Sequence, residues 1–362
     1  MSIKILTGLN QKDQKAIMKK KGKTLFIQPN NNYSGSCRVL FNVIQNEYSE
    51  KEYKVVTMGE EGFLSQLPHG RVMYLTYPTF FGKILHGPSY ILYCVKLFFV
   101  VLFYGINYRQ IYVNTIMPFL AVMAGRVLGC RITYHVHEKF INPDAKQRLA
   151  EKIFTRVKAN RIYVSNYLKE AYNDQREASR VEYNRLSRDF LASVKMRPFG
   201  ERKRNTMVLV SALPSKQKGV DLYYQLAKSC PEYTFYLITE LSVEKVYAFL
   251  NAPELPNLIV KKGGREVGKY YQLSDLLINM SNPFFFQETF GMTILEGMAY
   301  GLPAIVPNAG GPKELVEDGF NGYKVDVTDV NSVKHKIQEI FKKENYETFC
   351  RNALTMFQKL NG

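Results

Sequence analysis

The residues with the clearest chemical potential lie between Ser281 and Asp326, in the stretch SNPFFFQETFGMTILEGMAYGLPAIVPNAGGPKELVEDGFNGYKVD. Gly291 allows a tight turn into a helix whose first free N–H groups, near Met292 and Thr293, form an anion site. Glu288 stands in the loop before that helix and Glu296 one turn inside it, so both carboxylates can face one site from different depths. An isolated helix glutamate is ordinarily a solvated surface residue. Glu296, however, is flanked by Leu295, Gly297 and Met298, a setting that suits close packing, and a carboxylate held there can accept hydrogen bonds from two adjacent hydroxyls, as on a ribose. Gly301 ends the helix, Pro303 stops it from continuing, and Asn308–Pro312 (NAGGP) forms a loop before a short helix carrying Glu314.

Other segments carry lesser signals. Val210–Asp221 (VSALPSKQKGVD) places Lys218 and Gly219 just before a helix, where the lysine is either a solvated surface group or a phosphate contact. Phe26–Val39 (FIQPNNNYSGSCRV) runs from a strand into a loop whose Ser34, Gly35 and Ser36 offer small side chains and backbone donors to a phosphate or sugar. His135-Val136-His137-Glu138 ends another strand. A metal site there would need a third ligand at zinc spacing, and none follows; no D-x-D motif occurs either. His137 is left as a structural histidine or as a contact to sugar or phosphate, the second being preferred, and neither a metal nor another cofactor is expected.

The elements that must position these groups alternate between short apolar runs and longer helical patterns, the mark of α/β architecture with parallel sheets. Thr24–Gln28, Tyr53–Met58, Ile111–Asn114, Arg131–Val136 and Arg161–Ser165 read as strands of one unit. Met207–Ser211, Thr234–Ile238, Leu258–Lys261, Leu276–Met280 and Ala304–Pro307 read as strands of another, with helices over Asp221–Ser229 and Met292–Tyr300. The charged stretch Arg197–Asn205 (RPFGERKRN) is placed as the linker, dividing the chain into domains 1–200 and 201–345. Two such units are expected to leave a cleft at the carboxyl edges of their sheets.

A length of 362 residues suits two domains, and 46% hydrophobic against 22% charged residues excludes a disordered chain. The net charge of +17 is unevenly spread: residues 1–200 hold 30 basic and 14 acidic side chains, residues 201–362 hold 19 and 18. One half therefore presents a cationic surface to something anionic. The five cysteines, Cys37, Cys94, Cys130, Cys230 and Cys350, are widely spaced and odd in number, which fits a reducing compartment. The basic N-terminus lacks the apolar core of a secretory signal, so a cytoplasmic location is expected. Tyr90–Ile106 (YILYCVKLFFVVLFYGI) is 17 residues of nearly unbroken apolar character. At about 1.5 Å per residue it is short for a membrane span. It reads as a helix buried in the α/β domain, or as one dipping into a leaflet with Lys83, Lys96 and Arg109 at the headgroups.

The run ETFGMTILEGMAYGLP followed by AGGPKELVEDGFNG resembles the signature of the retaining glycosyltransferases of family 4, of the bacterial surface-polysaccharide type, which have the GT-B fold of two facing Rossmann-like domains. The resemblance runs from about Phe26 to Lys343. It implies that Glu296 binds the ribose of a nucleoside-diphosphate sugar and that Glu288 touches the transferred sugar. Backbone groups around Phe290, Gly291, Met292 and Thr293 would hold sugar and diphosphate, and His137 matches the family's active-site histidine. Lys218-Gly219 matches the family's Lys-Gly pair, but Ala212 or Leu213 stands where an Arg is usual, leaving Lys216, Arg202 or Arg204 to supply a second charge. Ser34, Gly35 and Ser36 resemble the glycine-rich N-terminal loop with one glycine of the usual pair. The terminal stretch 346–362 is expected to cross back onto the first domain, and the loop Lys261–Val267 to meet the base.

The implied reaction is metal-independent transfer of a sugar to an acceptor hydroxyl with retained configuration, with Glu288, His137 and Lys218 at the chemistry. The acceptor would be a glycan on a polyprenyl diphosphate carrier at the inner face of the cytoplasmic membrane, in assembly of O-antigen, lipopolysaccharide or capsule. The cationic first domain fits an anionic membrane surface, and no nucleic-acid-binding signature accompanies the charge. The alternatives are a sugar-nucleotide epimerase of the same architecture, or a degraded relative that only binds sugar nucleotides.

Overall fold

The computed structural model describes residues 23–76, 88–263 and 267–361, with side chains from residue 90 in the second stretch. Backbone contacts divide the chain into two compact units. The first takes the chain up to Asn32, Ser36–Ile162 and Gln175–Arg180; the second takes Tyr33–Gly35, Tyr163–Asp174 and everything from Val181 onward.

The first unit is built on a seven-stranded sheet: β1 Thr24–Asn30, β2 Tyr53–Met58, β3 Val72–Leu75, β4 Gln110–Val113, β5 Arg131–Val136, β6 Asn160–Tyr163 and β7 Ser179–Val181. Their spatial order is β3-β2-β1-β4-β5-β6-β7. The pairs from β3 to β5 are parallel. Central strands read as continuous apolar runs because helices cover both faces, as in the wholly buried Leu25–Ile27. The helix Pro88–Gly105 is not sandwiched in this core: Tyr93, Cys94, Leu97 and Val101 are fully buried, whereas Ile91, Val95, Phe99 and Phe103 are exposed. Lys83 lies outside the described residues.

The second unit holds six strands: β8 Thr206–Val210, β9 Thr234–Thr239, β10 Leu258–Lys262, β11 Leu276–Ile278, β12 Ala304–Pro307 and β13 Gly322–Val325. Their order is β10-β9-β8-β11-β12-β13, all parallel. The closing helix Lys343–Asn361 packs on the helices Met292–Ala299 and Val330–Phe341, and its Tyr346, Phe349 and Cys350 belong to this unit's core.

In each sheet the strand order reverses once, between β1 and β4 and between β8 and β11. Loops leaving the carboxyl ends of those strands diverge and open a crevice, the place where doubly wound folds bind ligands. The strands that the sequence pattern did not reveal, β3, β7 and β13, are all edge strands. They are three or four residues long; β7 and β13 carry no apolar run, and the apolar run of β3 (VMYL) is brief and buried only at Leu75. The five cysteines are buried and none forms a disulfide.

Candidate functional site

At the second unit's switch point the loop after β8 carries Lys218 and the loop after β11 carries Asn279, Ser281 and Glu288. One oxygen of Glu288 accepts from Asn279 Nδ2 (2.8 Å) and Ser281 Oγ (2.9 Å), and the other stands 3.3 Å from Lys218 Nζ. Burial pushes the Glu288 carboxyl up, but the Lys218 ammonium and the two hydrogen bonds outweigh it and hold the group below the usual carboxylate range. Lys218 also lies 4.7 Å from the ring centre of Phe286. Gly219 makes this approach feasible. Its φ of 62° is left-handed, and a Cβ there would lie 1.9 Å from the carbonyl oxygen of Met280.

The helix Met292–Ala299 starts from Gly291, and the first hydrogen bonds into it come from the N–H groups of Ile294 and Leu295. The N–H groups of Met292 and Thr293 therefore head the helix, beside buried Phe290. Glu296 is only 2% exposed and accepts from the Tyr271 hydroxyl at 2.8 Å, so it is not a solvated surface glutamate. The NAGGP loop lies directly on the Glu288 segment: Gly311 N donates to Glu288 O at 2.7 Å, and a Cβ on Gly310 or Gly311 would collide with the backbone of Glu288 or Thr289.

Two further residues hold this framework. Arg202, read from sequence as a linker charge available to a ligand, is 5% exposed; it donates to the carbonyls of Tyr300 (2.7 Å) and Gly301 (3.0 Å), where the Glu296 helix ends. It is committed to those carbonyls, complementing the negative end of the helix. Glu314 collects four donors: the backbone N–H groups of Asn166 (3.0 Å) and Tyr167 (2.6 Å), the Asn166 side-chain amide (3.1 Å) and the Tyr183 hydroxyl (2.9 Å). It thereby takes the first two N–H groups of the helix Asn166–Ala171, whose N-cap is Ser165, and the Tyr167 hydroxyl continues to Gln287, next to Glu288.

In the first unit His137, just past β5, and Asn114, just past β4, meet at 2.8 Å between Nε2 and Oδ1. Asn114 Nδ2 donates to Gln28 Oε1 (2.7 Å) and to the carbonyl of Ser36 (3.0 Å), which ties the loop after β1 to the histidine. Burial lowers the His137 pKa to about 3, so the ring is neutral. His135, 4% exposed, shares a 2.8 Å hydrogen bond with Tyr112 OH and is held neutral by burial, with neighbouring His137 and the Arg180 guanidinium opposing a second positive charge there. Glu138 accepts from Thr115 Oγ1, Ile116 N and His137 N, yet burial leaves its pKa raised. Ser34 and Gly35 lead into the helix Gly35–Glu47; a Cβ on Gly35 would meet open space, so packing does not demand glycine there.

The structure thus gathers Lys218, Glu288, Phe290, Gly291, Met292, Thr293 and Glu296 in one unit, and Ser36 and His137 in the other. Sequence reasoning missed Asn279 and Ser281, whose position at the end of β11 was the available signal, and Tyr271, which had none. Part of the expected base-binding loop, residues 264–266, lies outside the described residues. Among the described residues no group of three or more His, Cys, Asp and Glu side chains is arranged to hold a metal ion.

Residues 194–354 match the family model described as glycosyl transferases group 1. The chain is 29% identical over 187 residues to an uncharacterised glycosyltransferase of Methanocaldococcus jannaschii, covering 51% of this chain and 50% of that one. It is 35% identical over 82 residues to the sucrose synthase of Denitrovibrio acetiphilus, covering 22% and 10% respectively. The chain spans half or less of the length of these relatives. Among solved structures, HepE of Anabaena in complex with UDP-glucose superposes with a TM-score of 0.74 at 20% identity, over 93% of this chain and 95% of that one. WaaG, a glycosyltransferase involved in lipopolysaccharide biosynthesis, gives 0.70 at 13% identity, over 92% and 95%. The fold is GT-B, and the stretch 194–354 carries the pattern of the group 1 glycosyl transferases.

Proposed function

From a GT-B fold whose residues 194–354 match the group 1 glycosyl transferases, we propose that the protein transfers a sugar from a nucleoside diphosphate to an acceptor hydroxyl with retention of configuration. The observation that carries this reading is the Lys218–Glu288 pair at a sheet switch point, next to a helix start and to buried Glu296. Glu296 takes the ribose hydroxyls, the N–H groups of Met292 and Thr293 take phosphate oxygens, and the ionised Glu288 orients a sugar hydroxyl. Charge grows on the leaving diphosphate as its bond to the sugar breaks. Lys218 and the helix start meet that charge in a setting where each well-aimed donor is worth about 3 kcal/mol. The neutral His137, fixed by Asn114, is assigned to sugar or phosphate, as is the Ser34–Ser36 loop. No side chain is assigned as a covalent nucleophile. The leaving phosphate oxygen takes the acceptor's proton on the face where the new bond forms, and the reaction needs no metal.

The acceptor we assign is a glycan on a polyprenyl diphosphate carrier at the inner face of the cytoplasmic membrane, in surface-polysaccharide assembly. The cationic residues 1–200 support it, as does the likeness to a protein of lipopolysaccharide biosynthesis. The test is a panel of nucleoside-diphosphate sugars read by thermal shift, followed by product analysis. Transfer gives free nucleoside diphosphate and an anomer of the donor's configuration. An epimerised sugar nucleotide, or binding without turnover, overturns the reading.

A further inference from the structure

The helix Pro88–Gly105 turns one face into the first unit's core and leaves the other bare. On the bare side Ile91, Val95, Phe99 and Phe103 recur every four residues, forming a stripe along the helix axis, and Phe103 is 77% exposed. The helix Phe119–Val127 packs alongside and adds exposed Met123 and Val127, the latter 76% exposed. The two helices end together. A Cβ on Gly105 would lie 2.9 Å from Leu128 Cδ1, and Cys130 Sγ bonds to the carbonyls of Gly105 (3.7 Å) and Tyr108 (3.4 Å). Ile106 and Arg109 at one helix end therefore neighbour Arg126 and Val127 at the other, and Arg109 and Arg131 are joined backbone to backbone at 2.9 Å.

The stretch of sequence that builds this patch carries charge of one sign. From Gly62 to His137, 76 residues contain no Asp or Glu, while Arg71, Lys83, Lys96, Arg109, Arg126 and Arg131 fall within them. Exposed aromatic and aliphatic side chains on a stretch whose own charges are all cationic suit an anionic lipid surface, with Glu52 near Tyr108 and Glu138 near Tyr90 only at its margins. Among the described residues no helix is long and apolar enough to cross a membrane. We propose that the paired helices 88–105 and 119–127 form a docking face that lies flat on an anionic bilayer, with Phe99 and Phe103 inserted between the lipids and Arg109 and Arg126 at the phosphates. This deepens the lipid-linked acceptor reading above by naming the face that meets the membrane. Its test reads partition instead of sugar transfer, so either idea can fail without the other.

The experiment is co-flotation of the full chain with vesicles of phosphatidylglycerol and phosphatidylcholine, and with vesicles of phosphatidylcholine alone, at low and high salt. The wild type is expected to float with the anionic vesicles and to be released by salt. Phe99→Ser/Phe103→Ser should lose at least about tenfold in partition while keeping its melting temperature and donor binding. Arg109→Glu/Arg126→Glu should lose the preference for phosphatidylglycerol. Equal flotation of wild type and the phenylalanine variant overturns the proposal, as does absence of flotation at low salt. A dimer abolished by Phe99→Ser/Phe103→Ser, with no lipid binding, overturns it in favour of a second copy of the chain on this face.

Discussion

Lys218 Nζ stands 3.3 Å from Glu288 Oε1, and each group sets the state of the other: the ammonium keeps a largely covered carboxylate ionised, and the carboxylate holds the lysine over the Phe286 ring. Lys218→Met is expected to lower kcat by about 10²–10³, the loss typical of one donor to developing charge, while shifting the melting temperature little. With the ammonium gone, burial acts on Glu288 unopposed by its charge, so its pKa rises. The acid limb of the rate profile should then move to higher pH, which a pH series of initial rates would reveal. An unmoved limb would separate Glu288 ionisation from turnover.

Arg202 should matter to folding and not to ligands. Arg202→Met strands the carbonyls of Tyr300 and Gly301 and is expected to cost about 3 kcal/mol, read as a lower urea midpoint. Arg202→Lys should recover only part of this, because one ammonium cannot reproduce the fork of the guanidinium.

Gly219→Ala introduces a Cβ against the Met280 carbonyl at a left-handed φ. The strain should exceed about 2 kcal/mol unless the loop moves, and a moved loop displaces Lys218. Either way the dissociation constant for a nucleoside-diphosphate sugar, measured calorimetrically, is expected to rise about tenfold or more. Unchanged affinity would detach Lys218 from donor binding.

Stability should fall as the solution is acidified from pH 7 to pH 5. His135 is neutral when folded, its pKa driven well below 6.5 by burial and by His137 and Arg180, whereas the unfolded chain takes up a proton near 6.5. The folded state therefore keeps this advantage above pH 6.5 and loses up to about 1.4 kcal/mol per pH unit below it. His135→Gln removes that contribution, so its urea-derived stability should depend less on pH across this window, which lies above the ordinary carboxylate range.

Glu314→Ala strips the acceptor from the first two N–H groups of the six-residue helix Asn166–Ala171, leaving Ser165 alone to cap a helix too short to persist unaided. Amide exchange within 166–171 should speed up about tenfold, the effect of losing about 1–2 kcal/mol of capping. The melting temperature of the whole chain should change less.

The parts of the fold legible in the sequence were those that burial on both sides imprints on composition. Interior strands such as Leu25–Ile27 and Met207–Leu209 read as unbroken apolar runs; the edge strands Ser179–Val181 and Gly322–Val325 did not, and Val72–Leu75, though apolar, is four residues long and largely uncovered. Gly291 and Gly301 marked the ends of the Glu296 helix because backbone geometry restricts what can stand there. Long-range pairings leave no such mark. Nothing around Arg202 distinguishes a guanidinium that ends a helix 98 residues away from a surface charge, and nothing near Glu314 announces a partner 148 positions upstream. The apolar stretch 90–106 was read correctly as a helix, but composition could not tell which of its sides meets protein.

The chain passes between its two units more than once: 163–174 counts with the second, 175–180 returns to the first, and Val181 onward is again the second. A fragment beginning at residue 201 would therefore lack the donors Asn166, Tyr167 and Tyr183, leaving the Glu314 carboxylate beside the Glu288 loop with no ligands of its own. The second unit cannot be excised by a single cut at the linker. Any exchange of the second unit between related chains has to carry residues 163–174 with it, or rebuild that helix from the new partner.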